Sequence, residues 1–223
     1  MSIWVFDLDM VLQKPAYPHQ PDLIADIAAV VERPYGELFQ HYVEQHADNQ
    51  AEEEYHLSLC RTEDQKSRVR GFWRKLHENM PRATIIPGAK GLLEEVASHG
   101  GQIYSWTKGS VEIQRKRLES IGLSRFFAEG HIIHSPRKGT IAGFEQDLIP
   151  QLPYGRKIMI GDSYEQDIQP ALGVDDIVCV WIRWDQEVPK DVDLNSPNLI
   201  IVESTQELVT KIKEGLLGVQ GDH

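Results

Sequence analysis

The stretch that most constrains this chain is its opening, where Ser2-Ile-Trp-Val-Phe6 runs directly into Asp7-Leu-Asp9. Ser2 to Phe6 is apolar and rich in β-branched and aromatic residues, which reads as a buried strand. An ionised carboxylate in a dry core is costly unless it is paired or metal-bound. Asp7 and Asp9 therefore belong just past the carboxyl end of that strand, where open α/β sheets bind their ligands. Being two apart, they point the same way in extended chain. Two solvated or helix-capping acids would leave the same trace, so the later strands have to decide.

Those strands end in a similar way. Ile103-Tyr-Ser-Trp-Thr-Lys108 closes on the hydroxyl of Thr107, and Ser135-Pro-Arg-Lys138 supplies a lysine downstream. Lys157-Ile-Met-Ile-Gly-Asp-Ser-Tyr-Glu-Gln-Asp167 carries an apolar run into Gly161-Asp162, with a further acid at Asp167. In this order, and over nearly the whole chain, the four stretches resemble the motifs of the haloacid-dehalogenase-like (HAD) phosphohydrolases. Asp7-Leu-Asp-Met-Val-Leu12 matches the family's Asp-x-Asp opening. The first and fourth motifs are specific; the hydroxyl and the lysine count by position. Met10 departs from the pattern, because the family often has glycine there.

The resemblance implies chemistry as well as fold. Asp7 would be the nucleophile and pass through an aspartyl-phosphate, and Asp9 would serve as acid and then base. Thr107 would hydrogen-bond a phosphoryl oxygen, and Lys138 would set a positive charge on it. Asp162 would ligate Mg²⁺ with Asp7 and the backbone carbonyl of Asp9, and Asp167 would support the site. The implied substrate is a small phosphorylated metabolite. A phosphomutase, a phosphonatase or a haloacid dehalogenase would share the fold, although a dehalogenase usually lacks the second acid and the metal. A non-enzymatic phospho-acceptor switch fits the Asp7–Asp9 spacing badly.

Each role has a simpler rival. Asp162, Thr107 and Ser163 could cap the helices that follow them. Asp167 could be a cap or a structural salt bridge. Lys138 could be a solvated loop lysine, with Arg137 or Lys157 in its place. Trp106 should point into the core by strand alternation, and Trp184 could line a pocket or pack at the core's rim. His41 and His46, five apart, do not share a helix face. His131 and His134 have no acid or thiol at a zinc-binding spacing, so no zinc site is expected.

Alternating strands and helices predict a parallel sheet covered on both faces, a Rossmann-like α/β core. The strands are Ser2 to Phe6, Gln102 to Trp106, Lys157 to Ile160, Ile177 to Ile182 and Leu199 to Val202. Helices are read at Gly88 to His99, Ser110 to Ile121, Gly143 to Leu152, Glu165 to Leu172 and Thr205 to Leu217. Residues 13–20, with two prolines, read as a linker. Four helical stretches follow: Pro21 to Val31, Tyr35 to Ala47, Gln50 to Cys60 and Thr62 to Glu78. This block, residues 15–81, resembles the family's helical cap, inserted between core segments 1–14 and 82–223. Its last helix carries Arg61, Lys66, Arg68, Arg70, Arg74 and Lys75, either as a solvated face or to meet an anionic leaving group.

A chain of 223 residues is long enough to bury a proper core. Its net charge of −11 argues against nucleic-acid and anionic-membrane surfaces. Two distant cysteines, Cys60 and Cys179, imply no disulfide framework and a reducing cytoplasm. The opening has no basic region of the secretory type, and no apolar run is long enough to span a bilayer. There is no Walker A sequence and no Gly-x-Gly-x-x-Gly.

Overall fold

The structure, a computed structural model, describes residues 2–15, 20–45, 49–190, 192–194 and 196–215. It divides into two compact units, Met1–Pro15 with Ala83–His223, and Ala16–Arg82.

The first unit is built on six parallel strands: β1 (Ser2–Phe6), β4 (Gln102–Thr107), β5 (Ile132–His134), β6 (Arg156–Gly161), β7 (Ile177–Ile182) and β8 (Leu199–Val202). Their order is β5-β4-β1-β6-β7-β8. Strand β1 is central, with Phe6 opposite Ser105 on one side and Ile160 on the other. The chain goes out from β1 to both flanks, which makes its carboxyl end the switch point of the sheet.

Strand alternation sorts the side chains into two cores. Trp4, Phe6, Ile103, Ile158, Ile160, Val180 and Ile182 face one way. They meet α5 (Ala89–Ser98) through Leu92, Leu93 and Val96, α6 (Val111–Ser120) through Leu118, and α8 (Thr205–Lys213) through Leu208 and Ile212. Ile3, Val5, Tyr104, Trp106, Met159, Cys179 and Trp181 face the other way. Their partners are Phe144 and Leu148, Tyr164 and Ile168, and Ala171 of the short α7 (Gln169–Leu172). Burying each large side chain contributes roughly 1.5–3 kcal/mol. Apolar cover on both faces is what makes the strands read as continuous apolar runs.

Three local readings change. Residues 13–15, read as linker, form strand β2 (Gln13–Pro15), antiparallel to β3 (Ala83–Ile85). Residues 143–148 and 164–168 are wider π-type turns rather than ordinary α-helix. Of the helix read over 205–217, the described part ends at Lys213, and residues 216–217 lie outside the described residues.

The second unit contains α1 (Gln20–Val31), α2 (Tyr35–Gln45), α3 (Asn49–Ser58) and α4 (Glu63–Asn79). Leu23, Ile24, Ile27, Val30, Val31 and Leu38 pack with Val69, Trp73 and Leu76 of α4. Helix α4 starts in a capping box, where Thr62 accepts from the Gln65 backbone and Gln65 accepts from the Thr62 backbone. His41 and His56 flank a buried Glu52, at 3.4 Å and 3.8 Å from its two carboxylate oxygens. His46 lies outside the described residues. Among the described residues, no helix is long and apolar enough to cross a membrane.

Candidate active site

The site grows out of the backbone at the end of β1. Asp7 N donates to Ile160 O at 2.8 Å, so the sheet still holds the chain where the first acid projects. The chain then coils tightly: Leu12 N and Gln13 N both donate to Leu8 O at 3.0 Å, and Met10 N donates to Gln13 O at 2.7 Å. Met10 takes φ 62°, a left-handed conformation that glycine would adopt without Cβ crowding. The missing glycine noted in the sequence thus falls at a position whose backbone favours one.

Three carboxylates converge here. Asp7, Asp162 and Asp167 each place an oxygen within 4.8 Å of the others. Lys138 lies among them, buried, with its ammonium on Asp7 Oδ1 and 2.8 Å from Asp167 Oδ1. It reaches this place from the turn after β5, where Ser135 N donates to Thr107 O at 2.9 Å and Lys138 N to Ser135 O at 3.2 Å. Arg137 is turned away onto Asp147, and Lys157 donates to Gly155 O at 3.1 Å, so neither substitutes for Lys138.

Asp167 sits one turn along the segment that follows β6. Its Oδ2 accepts from Ser163 N at 3.1 Å. Ser163, not Asp162, is the cap: its hydroxyl accepts from Gln166 N at 3.3 Å. Asp162 instead fixes its backbone, whose carbonyl accepts from Trp181 Nε1 at 2.9 Å and Gln186 Nε2 at 3.1 Å. The close fit needs Gly161, because a Cβ there would lie 2.5 Å from Asp167 Cγ and Oδ2.

Three acids against one lysine leave the cluster short of positive charge. Burial raises Asp7 well above the usual carboxylate range; Lys138 offsets part of this, and Asp167 and Asp162 add to it. Burial, then the charge of Asp167, pushes Asp162 up to about 7. Burial alone would lower Lys138, but Asp7 and Asp167 outweigh it and hold the ammonium protonated. Such a cluster could hold a cation, and its hard oxygen donors fit Mg²⁺ rather than a soft metal.

The carboxylate of Asp9 stands outside this group. Its Oδ1 accepts from Gln13 Nε2 at 3.0 Å, and its Oδ2 lies 3.5 Å from Arg117 Nη1. Only its backbone carbonyl was expected to reach a metal. Thr107, the last residue of β4, neighbours the end of β1. It is not a helix cap; its Oγ1 accepts from Gly109 N at 3.0 Å and from Gln114 Nε2 at 3.3 Å. Sequence reasoning missed Gln13, Gln114 and Arg117, all buried. The pattern offered one signal for two of them: Gln114 and Arg117 stand three apart, on the same face of α6 as the buried Leu118.

The remaining candidates lie elsewhere. Trp106 is fully buried, and Trp184 packs against the first core. His131 Nδ1 and His134 Nδ1 are engaged with the Ile103 and Gly109 carbonyls, at 2.8 Å and 3.2 Å. A cavity of about 560 Å³ between Tyr154, Lys157, Asp176 and Asn198 opens at the opposite edge, before β6 and β7, and is no part of the site. In the helical unit, Arg70 and Arg74 line a cavity of about 470 Å³ with Glu53, His77 and Glu78.

No family model matches the sequence, and no curated protein does. Solved structures do match. A haloacid dehalogenase-like family hydrolase from Xanthomonas campestris covers 98% of this chain and 97% of its own, at 20% identity and a TM-score of 0.72. A putative HAD-hydrolase from Bacillus subtilis, bound to magnesium, covers 95% and 98% at 19% identity and a TM-score of 0.60. A 2-haloacid dehalogenase from Pseudomonas syringae covers 96% and 99% at 16% identity and a TM-score of 0.61. Identities this low are a likeness of fold.

Proposed function

We propose that this chain, which has the haloacid-dehalogenase-like fold, is a Mg²⁺-dependent phosphatase of small phosphomonoesters that works through an aspartyl-phosphate on Asp7. The observation that carries the reading is Asp7 held at the switch point of the sheet, against Lys138 and within 4.8 Å of Asp162 and Asp167, with a second acid two residues on. A dehalogenase needs the first aspartate but has less use for the Asp162–Asp167 cluster. Small phosphorylated metabolites are the substrates we infer, with no nucleic-acid or membrane partner for a chain of net charge −11.

In the first step an Asp7 oxygen attacks phosphorus as the bond to the leaving oxygen breaks, and Asp9 gives that oxygen a proton. In the second, water attacks the aspartyl-phosphate and Asp9 takes its proton, freeing Asp7 and phosphate. Lys138 and the Thr107 hydroxyl hold phosphoryl oxygens as charge develops. Asp7, Asp162 and the Asp9 backbone carbonyl would hold Mg²⁺, which supplies the positive charge that lets a carboxylate approach an anionic ester. The helical unit leaves and rejoins the core at the β2–β3 pair, and we infer that it corresponds to the cap of the family. The free thiols of Cys60 and Cys179 are in keeping with a cytoplasmic setting.

Two variants test the division of labour. With a labelled aryl phosphate and Mg²⁺, Asp7→Asn should form no acid-stable, hydroxylamine-sensitive label. Asp9→Asn should accumulate it while turnover falls on the order of 10²–10⁴-fold. Full activity in excess chelator would remove the metal, and label retained in Asp7→Asn would remove the nucleophile. Halide release from 2-haloacids without phosphatase activity would move the reading to a dehalogenase.

A further inference from the structure

We propose that Gln13 and Gln114 are positioning residues, a hydrogen-bond relay from Asp9 that turns the Thr107 hydroxyl into an oriented donor. The relay rests on the phosphatase reading for its purpose, and on geometry alone for its existence.

The links are short and the pieces buried. Gln13 Nε2 donates to Asp9 Oδ1 at 3.0 Å and to Gln114 Oε1 at 2.6 Å. Gln114 Nε2 donates to Thr107 Oγ1 at 3.3 Å. Gln13 is 0% exposed and Gln114 3% exposed, so neither amide has water as an alternative partner. Asp9 is more open, with its side chain 37% exposed, and one flank stays free for a substrate.

The direction follows from the Gln13 amide, whose NH₂ faces Asp9. Asp9 Oδ1 accepts from it both as a carboxylate and as an acid carrying its proton on Oδ2, so the same edge faces Asp9 in both steps. That NH₂ also faces Gln114, whose near atom must then be its carbonyl oxygen. The far atom of Gln114, facing Thr107, must be its NH₂. Thr107 Oγ1 already accepts from Gly109 N at 3.0 Å. Two incoming donors fill the two acceptor sites of a hydroxyl and leave its hydrogen as the one capacity unspent. Aimed at the site, that hydrogen suits a phosphoryl oxygen and not a donor. Gly109 adds to the fit, since a Cβ there would meet Gln114 Nε2 at 2.9 Å. Arg117, one turn further along α6, reaches the other oxygen of Asp9, so one helix face touches both ends of the relay.

Gln114→Glu is the decisive variant. It replaces the NH₂ facing Thr107 by an acceptor of nearly the same shape, so the hydroxyl hydrogen turns inward and is lost to the substrate. On an aryl phosphate, kcat/KM should fall roughly 10–100-fold, the worth of one hydrogen bond to a charged group. Once Thr107→Val has removed the hydroxyl, the same change should cost less than about 3-fold, since losses within one hydrogen-bond network do not add. Equal losses in both backgrounds would overturn the relay and make Gln114 a packing residue. If Gln114→Glu fails to fold, Gln114→Met is run through the same cycle with the same two outcomes. A second measurement needs no activity: the side-chain amide resonances of Gln13 and Gln114, assigned by substitution, should both move in Asp9→Asn. Movement of Gln13 alone would overturn the relay. An inactive wild type would sink the phosphatase reading and leave these resonances to decide the relay.

Discussion

Gly161→Ala offers a stringent test of how the site is held. Gly161 is the last residue of β6, and a Cβ there would fall 2.5 Å from Asp167 Cγ and Oδ2, well inside ordinary van der Waals contact. Asp167 cannot yield in place: it accepts from Ser163 N at 3.1 Å and pairs with Lys138 at 2.8 Å, and it is 1% exposed. The methyl group therefore drives the carboxylate off both partners. Overpacking a tight core costs about 1–3 kcal/mol, and a lost hydrogen bond to a charged group about 1.5–3 kcal/mol. The sum is about 2.5–5 kcal/mol, below the full value of about 6 at its upper end because the clash is relieved in part by the movement that breaks the bonds. For a chain of this size, each kcal/mol moves Tm by about 2–4 °C, so Tm should fall by roughly 5–20 °C.

The melt is best run by circular dichroism in chelator, so that metal binding does not enter the comparison. Gly91→Ala is the control, since Gly91 lies inside α5 with nothing within 4 Å of a new Cβ. There alanine should stabilise by about 0.5–1 kcal/mol. A Gly161→Ala protein melting within 2 °C (roughly 1 kcal/mol) of wild type would refute the packing argument. It would show that Asp167 moves freely and that Lys138 is not held by it.

Three further outcomes follow from single observations. Met10→Gly removes a left-handed non-glycine residue that is largely exposed, so it should gain about 0.5–1 kcal/mol, read as a higher urea midpoint; a lower midpoint would sink the idea. Asp162, raised to about 7 by burial and then Asp167, contributes stability below its unfolded value of 3.8 that is lost as pH rises to about 7. On the proposed reading Mg²⁺ displaces that proton, so the Mg²⁺-induced rise in Tm should grow from pH 5.5 to about 7 and level off above it, and a pH-independent rise would refute it. His56 is lowered from 6.5 to about 4 by burial, then by His41, so the folded chain takes its proton late and loses stability as pH falls across that window. His56→Leu should flatten the acid side of a Tm profile between pH 7 and 4.5, and an unchanged slope would show that His56 is not buried in its neutral form.

What the sequence disclosed and what it hid divide along a physical line. Asp7, Asp9 and Asp162 stood out because a carboxylate after an apolar strand is expensive anywhere but at a strand's end. The parallel sheet followed from the same runs, since strands covered on both faces must be apolar throughout. Lys138 could not be told from Arg137 or Lys157 by charge; the Arg137–Asp147 and Lys157–Gly155 contacts separate them, and these belong to the folded chain alone. Strand β2 was hidden by its length, three residues ending in proline, and became a strand only by pairing with residues some seventy positions away. The π-type turns at 143–148 and 164–168 were hidden because apolar spacing over so few residues does not separate one helical pitch from another. Gln13 and Gln114 were hidden most deeply, being 101 positions apart and of a residue type common on surfaces. Attack, proton transfer and metal ligation each demand a particular functional group, and a functional group is written in the sequence. Orienting those groups demands only a donor at the right distance, which many residues could supply, so the choice becomes visible when the fold shows which one is buried there.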